Sequence, residues 1–272
     1  MLALQDFFDL NDCNHQEIFP KDEAVWTSLD RLKEYLTTFF QKPWPLATIT
    51  GYIDIPLVIY HNEVRDDLEV KTTSAKGSFH VYCKGERLEG ASVILPGVYL
   101  FDDRIIIGSN TIVEPGVLIK GPVVIGDNCE VRQGAYVRGD CLIGNSCVVG
   151  HTTEMKGSIL LDGSKAGHFA YIGDSILGKD VNLGAGTKLA NLKMIPGSVM
   201  VKKDGKNYDT NRRKLGAIIG DRTETGCNSV TSPGTLIGPR SIVYPGVSVP
   251  GGYYPQRTIF MPSSSSLTIR TR

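Results

Sequence analysis

The sequence has no surplus of charge of either sign: 29 Lys and Arg stand against 29 Asp and Glu, for a formal net charge of zero. A dedicated nucleic-acid or membrane-surface binder would carry a basic excess, so neither is expected as a partner. No apolar run approaches the ~18 residues that a membrane-spanning helix needs. The opening MLALQDFFDLND turns acidic at once, without the basic flank and cleavage site of a secretory signal. The six cysteines, at 13, 83, 129, 141, 147 and 227, contain no C-x-x-C pair. This pattern predicts reduced thiols in a cytoplasm, with neither a disulfide framework nor a zinc knuckle. Aromatics are scarce at 8%, with two Trp and nine Phe against 30 Gly, which points to many tight turns around a thin, repetitive core. Apolar residues make up 41% of the 272 positions and charged residues 21%, enough to exclude a disordered chain.

Residues 1–88 differ in pattern from the remainder of the chain and read as a small α/β region. Val25, Leu29, Leu32, Leu36 and Phe39 fall at the spacing of one helix face. Asp22 is the expected N-cap, and Pro43 and Pro45 the stop. Residues 46–60 and 78–83 read as strands. From residue 89 the period changes to six: Leu95, Phe101, Ile107, Val113, Ile119, Ile125, Val131, Val137, Ile143, Val149, Met155 and Leu161. Small residues recur four positions later, among them Thr111, Cys129, Ala135, Cys141, Cys147 and Thr153. A helix would need apolar spacings of three and four and would not tolerate so much Gly.

A fixed short period means a solenoid. Each six-residue unit makes one short strand and one turn, and three units close a triangular coil of 18 residues. Strands of successive coils then pair in parallel, so stacking supplies the core that no single coil can bury. Cys129 and Cys147, 18 apart and in the same phase, are expected to stack inward as small core residues. The pattern resembles the left-handed parallel β-helices built from hexapeptide repeats, and that resemblance implies the hand. The solenoid is expected over 89–261, preceded by the 1–88 region and followed by an exposed low-complexity tail, 262–272. The period slips once, after Leu161, stops over 190–217, and resumes at Ile219, Thr225, Thr231, Ile237, Val243 and Val249. That segment reads as a loop thrown out of the solenoid, with Lys202, Lys203, Lys206, Arg212, Arg213 and Lys214 giving it a basic character suited to a lid over an anionic substrate.

Repeats specify a fold, so chemistry must lie where the repeat breaks. His168 stands at the slip with Tyr171, Asn182 and Asn191 close behind. The run from Gly134 to Gly246 contains EMK at 154–156, GSKAGH at 163–168, YIGD at 171–174, VNLGAGT at 181–187 and IIGD at 218–221. In this order it resembles the acetyltransferase domain of the bifunctional glucosamine-1-phosphate acetyltransferase / N-acetylglucosamine-1-phosphate uridylyltransferase family. ANL at 190–192 and RRKLGAIIGD at 212–221 give the intervening loop an archaeal look.

The resemblance implies an N-acetyltransferase that moves acetyl from acetyl-CoA to the amine of glucosamine-1-phosphate or a related amino-sugar phosphate. It implies His168 as general base, Arg138 and Lys156 on the sugar phosphate, Tyr171 and Asn182 on the sugar, and Asn191 at the acetyl group. Ala185, Cys227 and Pro245 fall at positions that contact acetyl-CoA, and a homotrimer with sites between subunits is implied. Such roles suit these residue types. An amino sugar arrives largely protonated, and a histidine, ordinarily titrating near ~6.5, can take that proton near neutrality. An amide side chain can serve a tetrahedral oxyanion, and Arg and Lys a phosphate. A thioester is already a good leaving group, so no metal is required.

His151 stands where the family has Asn, and Cys227 and Pro245 replace small residues. Residues 1–88 are too short for a nucleotidyltransferase domain and lack its Gly-rich loop, so no uridylyltransferase activity is expected. Two other readings compete. One is a non-catalytic β-helix assembly subunit. The other is a zinc hydratase of the carbonic anhydrase type, which needs three histidines where the solenoid supplies two, His151 and His168.

Overall fold

The computed structural model describes residues 2–72 and 78–262. The six-residue rhythm becomes strands of two to four residues that wind around three faces. In one coil Ile112–Val113 lies on the first face, Leu118–Ile119 on the second and Val123–Ile125 on the third. Each pairs in parallel with its counterpart one coil on: Val113 with Val131, Ile119 with Val137, Ile125 with Ile143. Repetition builds sheets of eleven, nine and eight strands on the first, second and third faces among the described residues. All six of these aliphatic residues are buried in one continuous core.

The small corner residues hold the coils together by hydrogen bonds. Thr111 Oγ1 donates to Gly126 O at 2.9 Å, Cys129 Sγ to Gly144 O at 3.0 Å and Cys147 Sγ to Leu161 O at 3.2 Å. The two cysteines thus sit buried in the core, unoxidised. Burial pushes the thiol of Cys141 up to about 12, which leaves it inert as a nucleophile. At the same corner as Cys129 and Cys147, between the third and first faces, carboxylates and amides add further bridges. Asn145 Oδ1 accepts the Asp127 N–H at 2.8 Å and Asp162 Oδ1 the Asn145 N–H at 2.7 Å.

The phase departs from the sequence reading at both ends of its first stretch. Phe101 is 54% exposed and Leu95 only half-buried; the inward residues are Ile94 and Leu100, which pair with Val113 and Ile119. The extra residue lies in the turn at Asp102–Arg104, where Asp102 binds the Arg104 backbone and guanidinium. Nor does the slip follow Leu161. Leu160 pairs with Ile143 and faces inward, whereas Leu161 packs outside, against the N-terminal segment. The true breaks are two five-residue steps, Met155 to Leu160 and Ile172 to Leu177, both on the corner from the second face to the third. Ala166 is the inward residue between them. It is too small to mark the rhythm, while Leu161 is apolar for a different reason.

The N-terminal segment covers the outside of the third face. A 3-10 turn, Val25–Thr27, leads into helix α1, Ser28–Phe39. The helix therefore starts six residues after Asp22, and Thr27, not Asp22, is its N-cap, with no side-chain bond. Leu29, Leu32 and Leu36 pack with Leu142, Ile159, Ile176, Ile218 and Leu236, the outward residues of the third face. Residues 46–60 hold two short strands. Gly51–Tyr52 pairs antiparallel with Tyr99–Leu100, and Leu57–Tyr60 with Ser92–Ile94, so both close the open edge of the first coil. Phe79–Cys83 is a strand, as expected.

The 190–217 segment leaves after Lys188–Leu189, at the same corner as the five-residue steps, and is not an open loop. Met200–Lys203 and Lys206–Asp209 form an antiparallel hairpin, while Val199, Val201 and Leu215 are buried with α1. Arg212 is tied to Asp30 of α1, so the basic cluster is partly committed to holding the hairpin down. Among the described residues no helix is long and apolar enough to cross a membrane. The expected tail, from residue 263 on, lies outside the described residues.

Leu142 is fully buried between the third face and α1. Leu142→Ala should lower unfolding free energy by about 2–5 kcal/mol, read by urea denaturation, and should expose the N-terminal segment to limited proteolysis. An unchanged midpoint and cleavage pattern would contradict the packing described.

Candidate functional site

Because each coil stacks in register, side chains at equivalent turn positions form straight columns. His151 pairs with His168 on adjacent coils. The column continues through Ala185, Cys227 and Pro245, fixed by backbone bonds from Gly186 N to His168 O at 2.9 Å, Asn228 N to Ala185 O at 2.8 Å and Gly246 N to Cys227 O at 2.9 Å. It runs along the corner between the first and second faces. From His168 to Pro245 there are three coil steps, roughly 14 Å at ~4.8 Å per parallel strand. Glycines 150, 167, 184 and 226 precede its members from His151 to Cys227, and the exposed Tyr244 precedes Pro245. A Cβ on Gly184 would lie 2.5 Å from Gly226, and one on Gly150 would strike the Gly167 carbonyl, so the adjoining wall is bare backbone. Near the far end Thr225, Gly226, Val243, Tyr244 and Pro245 line a shallow cleft of about 200 Å³.

The two histidines differ. His151 Nδ1 lies 2.8 Å from Gln133 O and its Nε2 3.3 Å from Thr152 Oγ1. A carbonyl can only accept, so Nδ1 carries the proton and Nε2 receives the hydroxyl. His151 is thereby satisfied in one tautomer. His168 is half-buried, and among the described residues no side-chain hydrogen bond engages its imidazole. Beside it stands Phe169, which the sequence reading passed over. It is 52% exposed, has a φ of +53°, and its ring centre lies 5.2 Å from that of His151 and 6.3 Å from that of His168. A bulky residue in the left-handed region is uncommon and costly. Gly134 and Gly186 occupy equivalent turn positions on nearby coils. The same column carries Thr152 at 52° and Asn228 at 56°, so the available signal was the size of Phe169 among smaller residues.

The second cluster stands at the opposite edge of the second face, where the five-residue steps fall. Lys156 Nζ bonds both oxygens of Asp174, at 3.1 and 3.0 Å. Asn191 Nδ2 donates to Asp174 Oδ2 at 2.5 Å, and Tyr171 OH to Asn191 Oδ1 at 3.4 Å. A Cβ on Gly173 would lie 2.6 Å from Asn191 Nδ2 and 2.7 Å from Tyr171 OH, so only glycine leaves room for this arrangement. Arg138, one coil before Lys156, pairs with Glu154 at 2.5 Å, and that bond holds its guanidinium above its ordinary range. Asp174, Glu154 and Gly173 lie within motifs recognised in the sequence, yet their roles emerge only when the short steps bring the coils together.

One chain therefore gathers Lys156, Tyr171 and Asn191, with Arg138 one coil away, and separately aligns His168, Ala185, Cys227 and Pro245. It does not bring His168 to the Lys156 cluster. Asn182 belongs to neither; it is exposed on the first face in register with Lys165 and Glu224. Among the described residues no three His, Cys, Asp or Glu side chains group at metal-binding spacing.

Residues 119–206 match the family described as the GMPPB C-terminal domain. The bifunctional sugar-1-phosphate nucleotidylyltransferase/acetyltransferase of Sulfurisphaera tokodaii is 45% identical over 91 residues, 34% of this chain and 23% of that protein. The bifunctional protein GlmU of Methanococcus maripaludis is 44% identical over 85 residues, 31% of this chain and 20% of that protein. The chain thus spans about a fifth of the length of these relatives. The acetyltransferase domain of PglB from Neisseria gonorrhoeae, solved with acetyl coenzyme A, overlays at 13% identity and a TM-score of 0.24, over 60% of this chain and 57% of that one, too loosely to bear on function. Within its β-solenoid, then, the chain carries a GMPPB C-terminal-type segment and a stretch similar to the GlmU-type bifunctional sugar-1-phosphate enzymes.

Proposed function

We propose that the protein is an acyltransferase that moves acetyl from acetyl-CoA to the amine of an amino-sugar 1-phosphate, glucosamine-1-phosphate or a close relative, with His168 as general base. The observation that carries this reading is the straight column from His168 to Pro245, with glycine beside it at 167, 184 and 226. An extended thioester laid along that corner, over Ala185, Cys227 and Pro245, brings its acyl end to the imidazole.

His168 takes a proton from the ammonium, and the freed amine attacks the thioester carbonyl. The tetrahedral oxyanion collapses and the C–S bond breaks; the His168 imidazolium gives its proton to the departing sulfur, so CoA leaves as the thiol, and the surplus proton on the new amide nitrogen passes to solvent. Backbone N–H groups or an amide such as Asn191 stabilise the oxyanion. Arg138 and Lys156 receive the sugar phosphate, and Tyr171 and Asn182 the sugar. Arg138 is the more readily recruited of the two. Its pair with Glu154 is exposed on both sides, 42% and 37%, where such pairs contribute about 0–1 kcal/mol. Lys156 is held more deeply by Asp174, which also fixes Asn191.

In one chain His168 and the Lys156 cluster occupy opposite edges of the second face. The reading therefore includes a homotrimer in which the edge of one copy meets that of the next, in a cytoplasmic enzyme that needs no metal. A second reading, a non-catalytic solenoid subunit, draws on the same ion pairs: Arg138 and Lys156 are both neutralised within the chain, and among the described residues no side-chain hydrogen bond orients His168.

His168→Ala should fold normally and lose about 10²–10⁴ in kcat. The wild-type rate should rise with pH through one ionisation that is missing in the variant. A folded variant keeping more than a tenth of wild-type kcat would contradict the assignment.

Cys227 is the one exposed thiol among the described residues, with Cys83 partly covered and the other four buried. One fast-reacting thiol is expected with an aromatic disulfide reagent, and saturating acetyl-CoA should slow its labelling severalfold. Labelling of Cys227 at the same rate with and without acetyl-CoA would argue against this corner as the coenzyme path.

A further inference from the structure

At the corner between the third and first faces, one turn position recurs on every coil: Asn110, Asn128, Ser146, Gly163, Asp180, Arg222, Arg240 and Arg257. The backbone fixes the alignment, with Asn128 N bonded to Ser109 O, Arg222 N to Lys179 O, Arg240 N to Asp221 O and Arg257 N to Pro239 O. All eight have positive φ, from 55° at Asn110 to 76° at Gly163, and the three arginines stand at 58°, 60° and 61°. The first five are the short residues that tolerate this region through small size or local hydrogen bonding. Asn110 Nδ2, for instance, donates to Asn128 Oδ1 at 2.8 Å. The last three break that rule together.

Arginine has no intrinsic reason to occupy a left-handed turn, and three on successive coils stack like charges ~4.8 Å apart at their backbones. All three are exposed. Arg222 has only a long contact to Asp180, at 3.7 Å, and among the described residues Arg240 and Arg257 have no ion-pair partner. The chain as a whole is neutral, so this ridge is a local concentration of charge. Beside it, Lys179, Arg222 and Arg240 line a cleft of about 440 Å³ with Gln5, Asp9 and Asp12. The cleft's half-buried acid, Asp221, is already occupied, accepting the Asp9 N–H at 2.7 Å and the Lys179 N–H at 2.8 Å. Strained backbone, stacked like charge and missing counter-ions are tolerated together where a ligand supplies the counter-charge.

We propose that Arg222, Arg240 and Arg257 form a binding site for a chain of linked phosphates, such as the diphosphate or triphosphate end of a nucleotide, separate from the His168 column. Guanidinium forks from successive coils present parallel donors to neighbouring phosphoryl groups, and the adjoining cleft has room for an attached nucleoside. A linear array on one corner fits a short linear anion better than a single phosphate, which one fork would satisfy. Phosphoryl oxygens are acceptors only, and no bond is made or broken.

The test is titration calorimetry of the full chain at 50 and 150 mM salt with tripolyphosphate, ATP, ADP, AMP and a single-stranded oligonucleotide. Binding is expected in the order tripolyphosphate or ATP, then ADP, then AMP. ATP above tripolyphosphate would assign the nucleoside to the cleft; equal binding would assign the phosphate chain alone. The double variant Arg240→Asn, Arg257→Asn installs the residue that the column carries at 110 and 128. It should weaken tripolyphosphate binding at least tenfold, yet raise Tm by a few degrees, at about 2–4 °C per kcal/mol of relieved strain for a chain of this size. Acetyl transfer should be unchanged in that variant, which separates this site from the proposed activity. The proposal is overturned if the double variant binds tripolyphosphate like wild type, if wild type binds no polyphosphate at 50 mM salt, or if the oligonucleotide binds more tightly than tripolyphosphate.

Discussion

Parallel register is the constraint on which everything else depends. Each short strand of the solenoid can satisfy its backbone only by lying over the equivalent strand one coil away, as Val113 lies over Ile94 and under Val131. That requirement turns a loose sequence rhythm into straight columns. Inward columns are aliphatic and make the core; corner columns are Thr, Ser and Cys that bond the next coil's carbonyls. Outward columns that the N-terminal segment does not cover are free of both duties. The histidine column, the basic residues around Lys156 and the arginine ridge all lie on these free positions, so chemistry here is a property of columns more than of single residues.

Departures from the period then decide where unlike residues meet. Two five-residue steps on one corner tighten consecutive coils, and the hairpin segment leaves from that corner on the next coil. There Lys156, Asp174 and Asn191, from three successive coils, come to share one network. Regular coils elsewhere keep neighbours at fixed spacing. The N-terminal segment answers a different need, since it covers the apolar outside of the third face that residues such as Leu142 and Ile159 create.

The sequence made the architecture legible because a six-residue period has few physical solutions. Val113 through Met155 and Ile219 through Val249 face inward as their spacing implies. Where one residue was apolar for another reason, the reading failed: Leu161 packs outward on the N-terminal segment, and Ala166 holds the inward place silently. Asp22 is a good capping residue in the wrong place, because a 3-10 turn intervenes before α1. For the candidate site, residue types at motif positions pointed to His168, Lys156 and Asn191. Asp174, the partner of Lys156 and Asn191, and Glu154, the partner of Arg138, depend on coil-to-coil distances of a few ångströms, which no spacing rule in one dimension encodes. The strain at Phe169 and at Arg222, Arg240 and Arg257 is likewise visible only once the register shows which residues share a left-handed turn.

The central claim is acyl transfer to an amine carried on a phosphorylated sugar. It is tested most directly by following free thiol release from acetyl-CoA with the full chain and a panel of amino sugars. Each sugar would be supplied as the 1-phosphate, as the 6-phosphate and unphosphorylated, with the N-acetylated 1-phosphate as a blank. The account expects amine-dependent thiol release, strongest with an amino-sugar 1-phosphate and absent with the blank. No thiol release above the blank for any amine would contradict it and leave the non-catalytic solenoid as the better reading.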